Sequence, residues 1–123
     1  MLGVSLTLLA FAALGGATMA VLRLRGTPYP PLGLAIGHGV VAAGGLVCLI
    51  IVAATTGVRG LGLAALGVLV LAALGGATLF FGFHMRNKPL PIVLVIGHGL
   101  IALTGFALLA YYHFWEHEVG LRQ

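Results

Sequence analysis

Apolar residues run along this chain in four long blocks, and the short segments between them hold every proline and most of the charge. The charged side chains are Arg23, Arg25, Arg59, Arg86, Lys88, Glu116, Glu118 and Arg122. Each block between them can supply the roughly 20 residues that carry a helix across a bilayer core. Helices are expected over roughly 2–24, 31–56, 60–85 and 90–116. The first turn, residues 25–31, and the third, 86–91, are proline-rich, and proline stops one helix but fits the first turn of the next. Residues 55–60, Thr-Thr-Gly-Val-Arg-Gly, make the middle turn.

The blocks are related in pairs. Residues 13–18, Ala-Leu-Gly-Gly-Ala-Thr, recur letter for letter at 73–78, and Ile-Gly-His-Gly at 36–39 recurs at 96–99, both offset by 60 positions without a gap. This predicts an all-α, integral membrane, four-helix up-down bundle built from two tandem two-helix repeats, residues 1–58 and 61–118, within a single domain covering 1–123. The first block has a counterpart in mid-chain and lacks a basic n-region, so it is expected to belong to the fold and not to a cleaved leader.

Composition sharpens this picture. With 61% hydrophobic and 7% charged residues, and a mean hydropathy of +1.19, the chain is not an ordinary soluble domain. A net charge of +4 would suggest nucleic acid in a soluble protein, but here the cations cap apolar spans, so no nucleic-acid partner is expected. Arg23, Arg25, Arg86 and Lys88 flank the first and third turns, whereas Arg59 and Arg122 lie at the other end. The positive-inside rule then puts loops 25–31 and 86–91 in the cytoplasm and both termini outside, on the periplasmic side of a bacterial inner membrane. Cys48, the lone cysteine, reads as a small core hydrophobe and excludes an intrachain disulfide.

In the second and fourth blocks the unchanged positions are Pro31/91, Leu34/94, Ile36/96, Gly37/97, His38/98, Gly39/99, Ala42/102, Gly45/105 and Leu49/109. Most step by three or four, the spacing of one packed helix face, and the histidine is on it. His38 follows Pro31 by seven residues, about 10 Å of helix, and Gly15 and Gly16 precede Arg23 by a similar interval. Eight glycines (Gly15, Gly16, Gly37, Gly39, Gly75, Gly76, Gly97 and Gly99) are therefore expected in one layer with His38 and His98. In an up-down bundle the second and fourth helices are diagonal, roughly 11–14 Å apart, a span that suits two imidazoles with an iron between them.

This arrangement resembles membrane b-type cytochromes: the b561-like four-helix proteins and the cytochrome b subunit of quinol-oxidising complexes. The resemblance implies one haem b, with His38 and His98 as iron ligands and the eight glycines clearing room for the macrocycle. Arg23, Arg25, Arg86 and Lys88 would pair with its propionates, and a quinone or a redox protein would be the partner. Those families usually hold a second haem about 14 residues along the helix; here position 112 is tyrosine and His113 has Ala53 as its repeat partner, so one haem is expected. The chain also looks like short uncharacterised bacterial inner-membrane proteins with a His-Gly-x-x-Ala-x-x-Gly repeat, which implies location only.

Other readings of the same residues stand beside this one. The histidines could serve as interhelical packing glue in a cofactor-free interaction or accessory subunit, or bind a magnesium porphyrin, a quinone or a transition metal. His113-x-x-Glu116-His117 matches an inverted zinc-protease motif, but only six residues follow it, and Tyr111, Tyr112, Phe114 and Trp115 read instead as an aromatic belt with Glu116, His117 and Glu118 as its hydrated rim. His84 is expected at the membrane interface, with a propionate as the second choice of partner. Phe80, Phe81 and Phe83 read as packing or lipid contact. Gly33 and Gly37 could mark a face for a homodimer or a larger membrane complex. No serine, cysteine or carboxylate constellation suggests hydrolysis or group transfer, so an electron carrier is expected rather than a conventional catalyst.

Overall fold

The structure is a computed structural model that describes residues 1–117; Glu118 and Arg122, and with them the side chains of Glu116 and His117, lie outside that description. The expected hydrated rim therefore falls beyond the described side chains.

Four helices form: α1 (Leu2–Leu24), α2 (Leu32–Thr56), α3 (Leu61–Gly82) and α4 (Ile92–Tyr111). Pro31 and Pro91 stand immediately before α2 and α4, where a missing N–H costs nothing. Gly57 closes α2 in the left-handed conformation at φ 69°, a geometry that glycine adopts without a Cβ clash. Two ends differ from expectation. α3 stops at Gly82 and tightens into a 3-10 turn, His84–Arg86, which Asn87 ends at φ 53°. Beyond Tyr111, α4 widens into a π-helical turn, Tyr112–His117. All four helices are long and apolar enough to cross a membrane.

The helices pack as a ring. α1 lies against α2 and α4, and α3 against α4 and α2, leaving α2 and α4 on one diagonal. Contact within each hairpin, α1 with α2 and α3 with α4, is far closer than contact between the hairpins. Two small-residue crossings explain this. A Cβ on Gly45 would lie 2.8 Å from Leu9 Cγ, and one on Gly105 would lie 2.7 Å from Leu69 Cγ, so each glycine admits a leucine of the preceding helix against its backbone. Gly45 also accepts a 2.8 Å hydrogen bond from the buried Ser5 hydroxyl; its counterpart position 65 is a fully buried alanine.

A cluster of buried apolar side chains lies at one end of the bundle. Leu2, Leu6, Leu9, Leu49, Val52, Val58, Ala65, Leu69 and Leu109 form it, near the 57–60 turn. Tyr112, expected in the outer aromatic belt, packs against this core, while Tyr111, Phe114 and Trp115 remain exposed. At the opposite, basic end the two loops are tied by polar contacts. Leu90 N–H donates to Pro28 O at 2.9 Å, Arg23 Nε–H donates to Leu90 O at 2.7 Å, and His84 Nε2–H donates to Pro30 O at 2.7 Å.

Gly45→Ala and Gly105→Ala should each destabilise the bundle by about 1–3 kcal/mol through overpacking against the facing leucine. Gly44→Ala, whose Cβ would meet only Leu8 at an ordinary 3.7 Å, should be nearly neutral. Unfolding of the detergent-solubilised protein, followed by circular dichroism in added denaturing detergent, reads the difference.

Candidate functional site

The site begins with two imidazoles, each held the same way. His38 Nδ1 lies 2.8 Å from Ala12 O on α1, and His98 Nδ1 lies 2.9 Å from Ala72 O on α3. A carbonyl oxygen only accepts, so Nδ1 carries a proton in both rings, and in the neutral form of each ring the lone pair is then on Nε2. Neither Nε2 has a hydrogen-bond partner among the described residues, and neither is sealed in the core.

The glycine pairs make this seat. A Cβ on Gly16 would stand 3.1 Å from His38 Cε1, and one on Gly76 would stand 3.1 Å from His98 Cε1. Gly15 and Gly75 approach the same rings, with a Cβ 3.8 Å from His38 Nδ1 and 3.6 Å from His98 Nδ1. Any side chain at 16 or 76 would press the imidazole away from its carbonyl. The two seats then face each other across the α2–α4 diagonal, with ring centroids 6.2 Å apart and planes nearly perpendicular at 85°.

The remaining expected site residues divide by position. Gly37, Gly39, Gly97 and Gly99 flank the histidines in sequence, and a Cβ on any of them would meet nothing within 4 Å beyond its immediate chain neighbours. Of the eight glycines, four therefore approach the rings from the facing helix and four do not. Of the cations, Arg23 is seven residues beyond Gly16, on the same face of α1, and its Nε is committed to Leu90 O. Arg25 follows Thr18 by the same interval and lies on another face, at the end of a groove with Leu14, Ala17 and Thr18. Arg86 and Lys88 are exposed on the second basic loop. His84 is buried against its neighbours at the basic-loop end of the bundle: it stacks on Phe80 at 5.5 Å and meets Tyr29 edge-on at 5.3 Å. Its Nε2–H is spent on Pro30 O, so it clamps the loops together.

Ala12 and Ala72 are the functional positions that sequence reasoning passed over. They act through the backbone carbonyl, which leaves no mark on the choice of side chain. Their one trace is that both are alanine, 26 residues before the histidine each serves.

Among the described residues no group of three or more His, Cys, Asp or Glu side chains comes together. The possible donor set at this layer is therefore the two imidazole Nε2 atoms. Compared with family models, curated proteins and solved structures, the chain matches none.

With histidine-labelled protein, 15N NMR should report both rings as the neutral tautomer protonated at Nδ1. Gly16→Val should remove that signature from His38 while leaving His98 unchanged, and Gly39→Ala should alter neither.

Proposed function

We propose that this chain is a small inner-membrane b-type cytochrome in which two tandem hairpins hold one haem b between His38 and His98. The carrying observation is the pair of free Nε2 atoms, each on a ring fixed through Nδ1–H to a backbone carbonyl. Metal-ligating histidines are held in this manner, because the second hydrogen bond sets the tautomer and raises the basicity of the ligating nitrogen.

The donor count points the same way. Two nitrogens make a poor cage for a bare ion, which usually takes four or more ligands, but they complete a metal that arrives with four equatorial ligands of its own. Spacing supports this. Rings that both ligated one metal through Nε2 would have their centres no more than about 6 Å apart, from two bonds of about 2 Å and about 1 Å within each ring. The observed separation is 6.2 Å.

When bound, such a haem supplies one-electron exchange. The chain's own contribution is to orient the ligands and shield them. Ala12 and Ala72 hold the imidazoles in the correct tautomer, Gly15, Gly16, Gly75 and Gly76 let α1 and α3 approach them, and apolar helices exclude water from the layer. Arg23, on the histidine face of α1, is the best-placed cation for a propionate; Arg25, Arg86 and Lys88 contribute through the field at that end. The basic loops 25–31 and 86–91 face the cytoplasm on this reading, with quinone or a redox protein as the electron partner.

A second reading rests on the same contacts. Ring centroids 6.2 Å apart at 85° also fit edge-to-face aromatic packing, and each Nδ1–H bond staples its own hairpin. The chain would then be a cofactor-free accessory subunit, possessing two polar staples worth about 0.6–2 kcal/mol each.

One spectrum separates the two. Protein produced with ample haem supply and purified in detergent should show the paired sharp visible bands of bis-imidazole haem on reduction with dithionite. His38→Leu and His98→Leu should each abolish them while helicity is retained. A colourless wild-type protein would sink the cytochrome reading, and the staple reading would take its place.

A further inference from the structure

The basic end of the bundle carries charge that the chain does not balance. Arg23, Arg25, Arg86 and Lys88 lie there, whereas the only two acidic residues, Glu116 and Glu118, come after the far end of α4 in sequence. Arg23 is engaged by Leu90 O, but Arg25 stands exposed at the head of a shallow, open groove along the outer face of α1. Leu14, Ala17, Thr18, Val21 and Leu22 line the groove below it. Its one hydroxyl is already satisfied, because Thr18 Oγ1 donates back to Leu14 O at 2.9 Å, so the wall presented outward is apolar. From Leu14 to Arg25 the helix rises about 16 Å, close to half of a hydrocarbon core about 30 Å thick.

A cation at the interface above a leaflet-deep apolar groove matches one kind of molecule. We infer that this face of α1 is a binding site for an anionic phospholipid, its phosphate on the Arg25 guanidinium and one acyl chain along Leu14, Ala17 and Thr18. The assignment rests on the reading that the chain spans a bilayer, and not on haem. The duplication supplies an internal control. Leu74, Ala77 and Thr78 repeat the groove floor on α3, and Thr78 donates to Leu74 O at the same 2.9 Å, but Met85 stands where Arg25 would be and Phe81 where Val21 would be. The second half therefore has the floor without the headgroup anchor.

The test is native mass spectrometry of the full chain in detergent, titrated with phosphatidylglycerol or phosphatidylcholine. One phosphatidylglycerol should be retained in preference to phosphatidylcholine. Arg25→Gln should lower its retention about fivefold, the weight of one basic residue near an anionic surface. Ala17→Phe, which fills the groove, should lower retention with Arg25 intact. Circular dichroism confirms that each variant keeps its helicity. Equal retention of the two lipids would overturn the inference. So would an Arg25→Gln variant unchanged from wild type, or equal losses from Arg86→Gln and Lys88→Gln, which mark a diffuse field instead of a site. Competition by glycerol phosphate alone would identify an anion site with no use for the acyl chain and would also overturn it. Protein that stays in aqueous solution without detergent would instead remove the bilayer reading itself.

Discussion

The hydrogen bond from an imidazole Nδ1–H to a helix carbonyl, made once in each hairpin, is the contact on which the geometry of the candidate site depends. It can form only where two helices approach closely enough for a ring on one to reach the backbone of the other. Gly15 and Gly16 give that approach to His38, and Gly75 and Gly76 give it to His98. The bond then keeps a proton on Nδ1 and, in the neutral ring, leaves Nε2 with its lone pair at the diagonal between the hairpins. The placement of the two rings follows from a backbone crossing, and the crossing follows from the absence of a Cβ at four positions.

The uneven tightness of the bundle complements this. Gly45 and Gly105 lock each hairpin internally, and a cluster of buried apolar side chains occupies the end away from the basic loops. The histidine layer lies outside that cluster, where the two hairpins meet through His38 and His98. A bundle packed uniformly to interior density would have closed over both Nε2 atoms. At the basic end, Arg23, His84 and the Leu90 amide bind one loop to the other, so the histidine layer is held between a packed cluster on one side and a polar clasp on the other.

The two halves repeat the same contacts at positions 60 apart, and they diverge at the ends. Ala12 and Ala72 serve the histidines alike, and Leu9 and Leu69 fill the same crossings. Ser5, however, bonds to Gly45 whereas Ala65 has no hydroxyl to offer, and His84 clasps a loop where the other half has Leu24. Departures of this kind separate what each hairpin needs in order to pack from what one end of the bundle adds.

Four apolar blocks, their turns and the facing histidines were legible in the letters, because a helix of about 20 uncharged residues and a repeat with a fixed offset are properties of the chain taken locally. The helix face that carries His38, Ala42, Gly45 and Leu49 was legible for the same reason. The acceptors on Ala12 and Ala72 were not, since a carbonyl is common to every residue and only the crossing angle selects one of them. Nor did the letters distinguish Gly16, which approaches a ring from the facing helix, from Gly39, which does not: glycine is written identically whether or not it admits a neighbour. His84 is the sharpest case. Read alone it is an interfacial histidine, and it serves as a buried clasp at that end only because folding brought Pro30, fifty-four residues earlier, within reach of its Nε2.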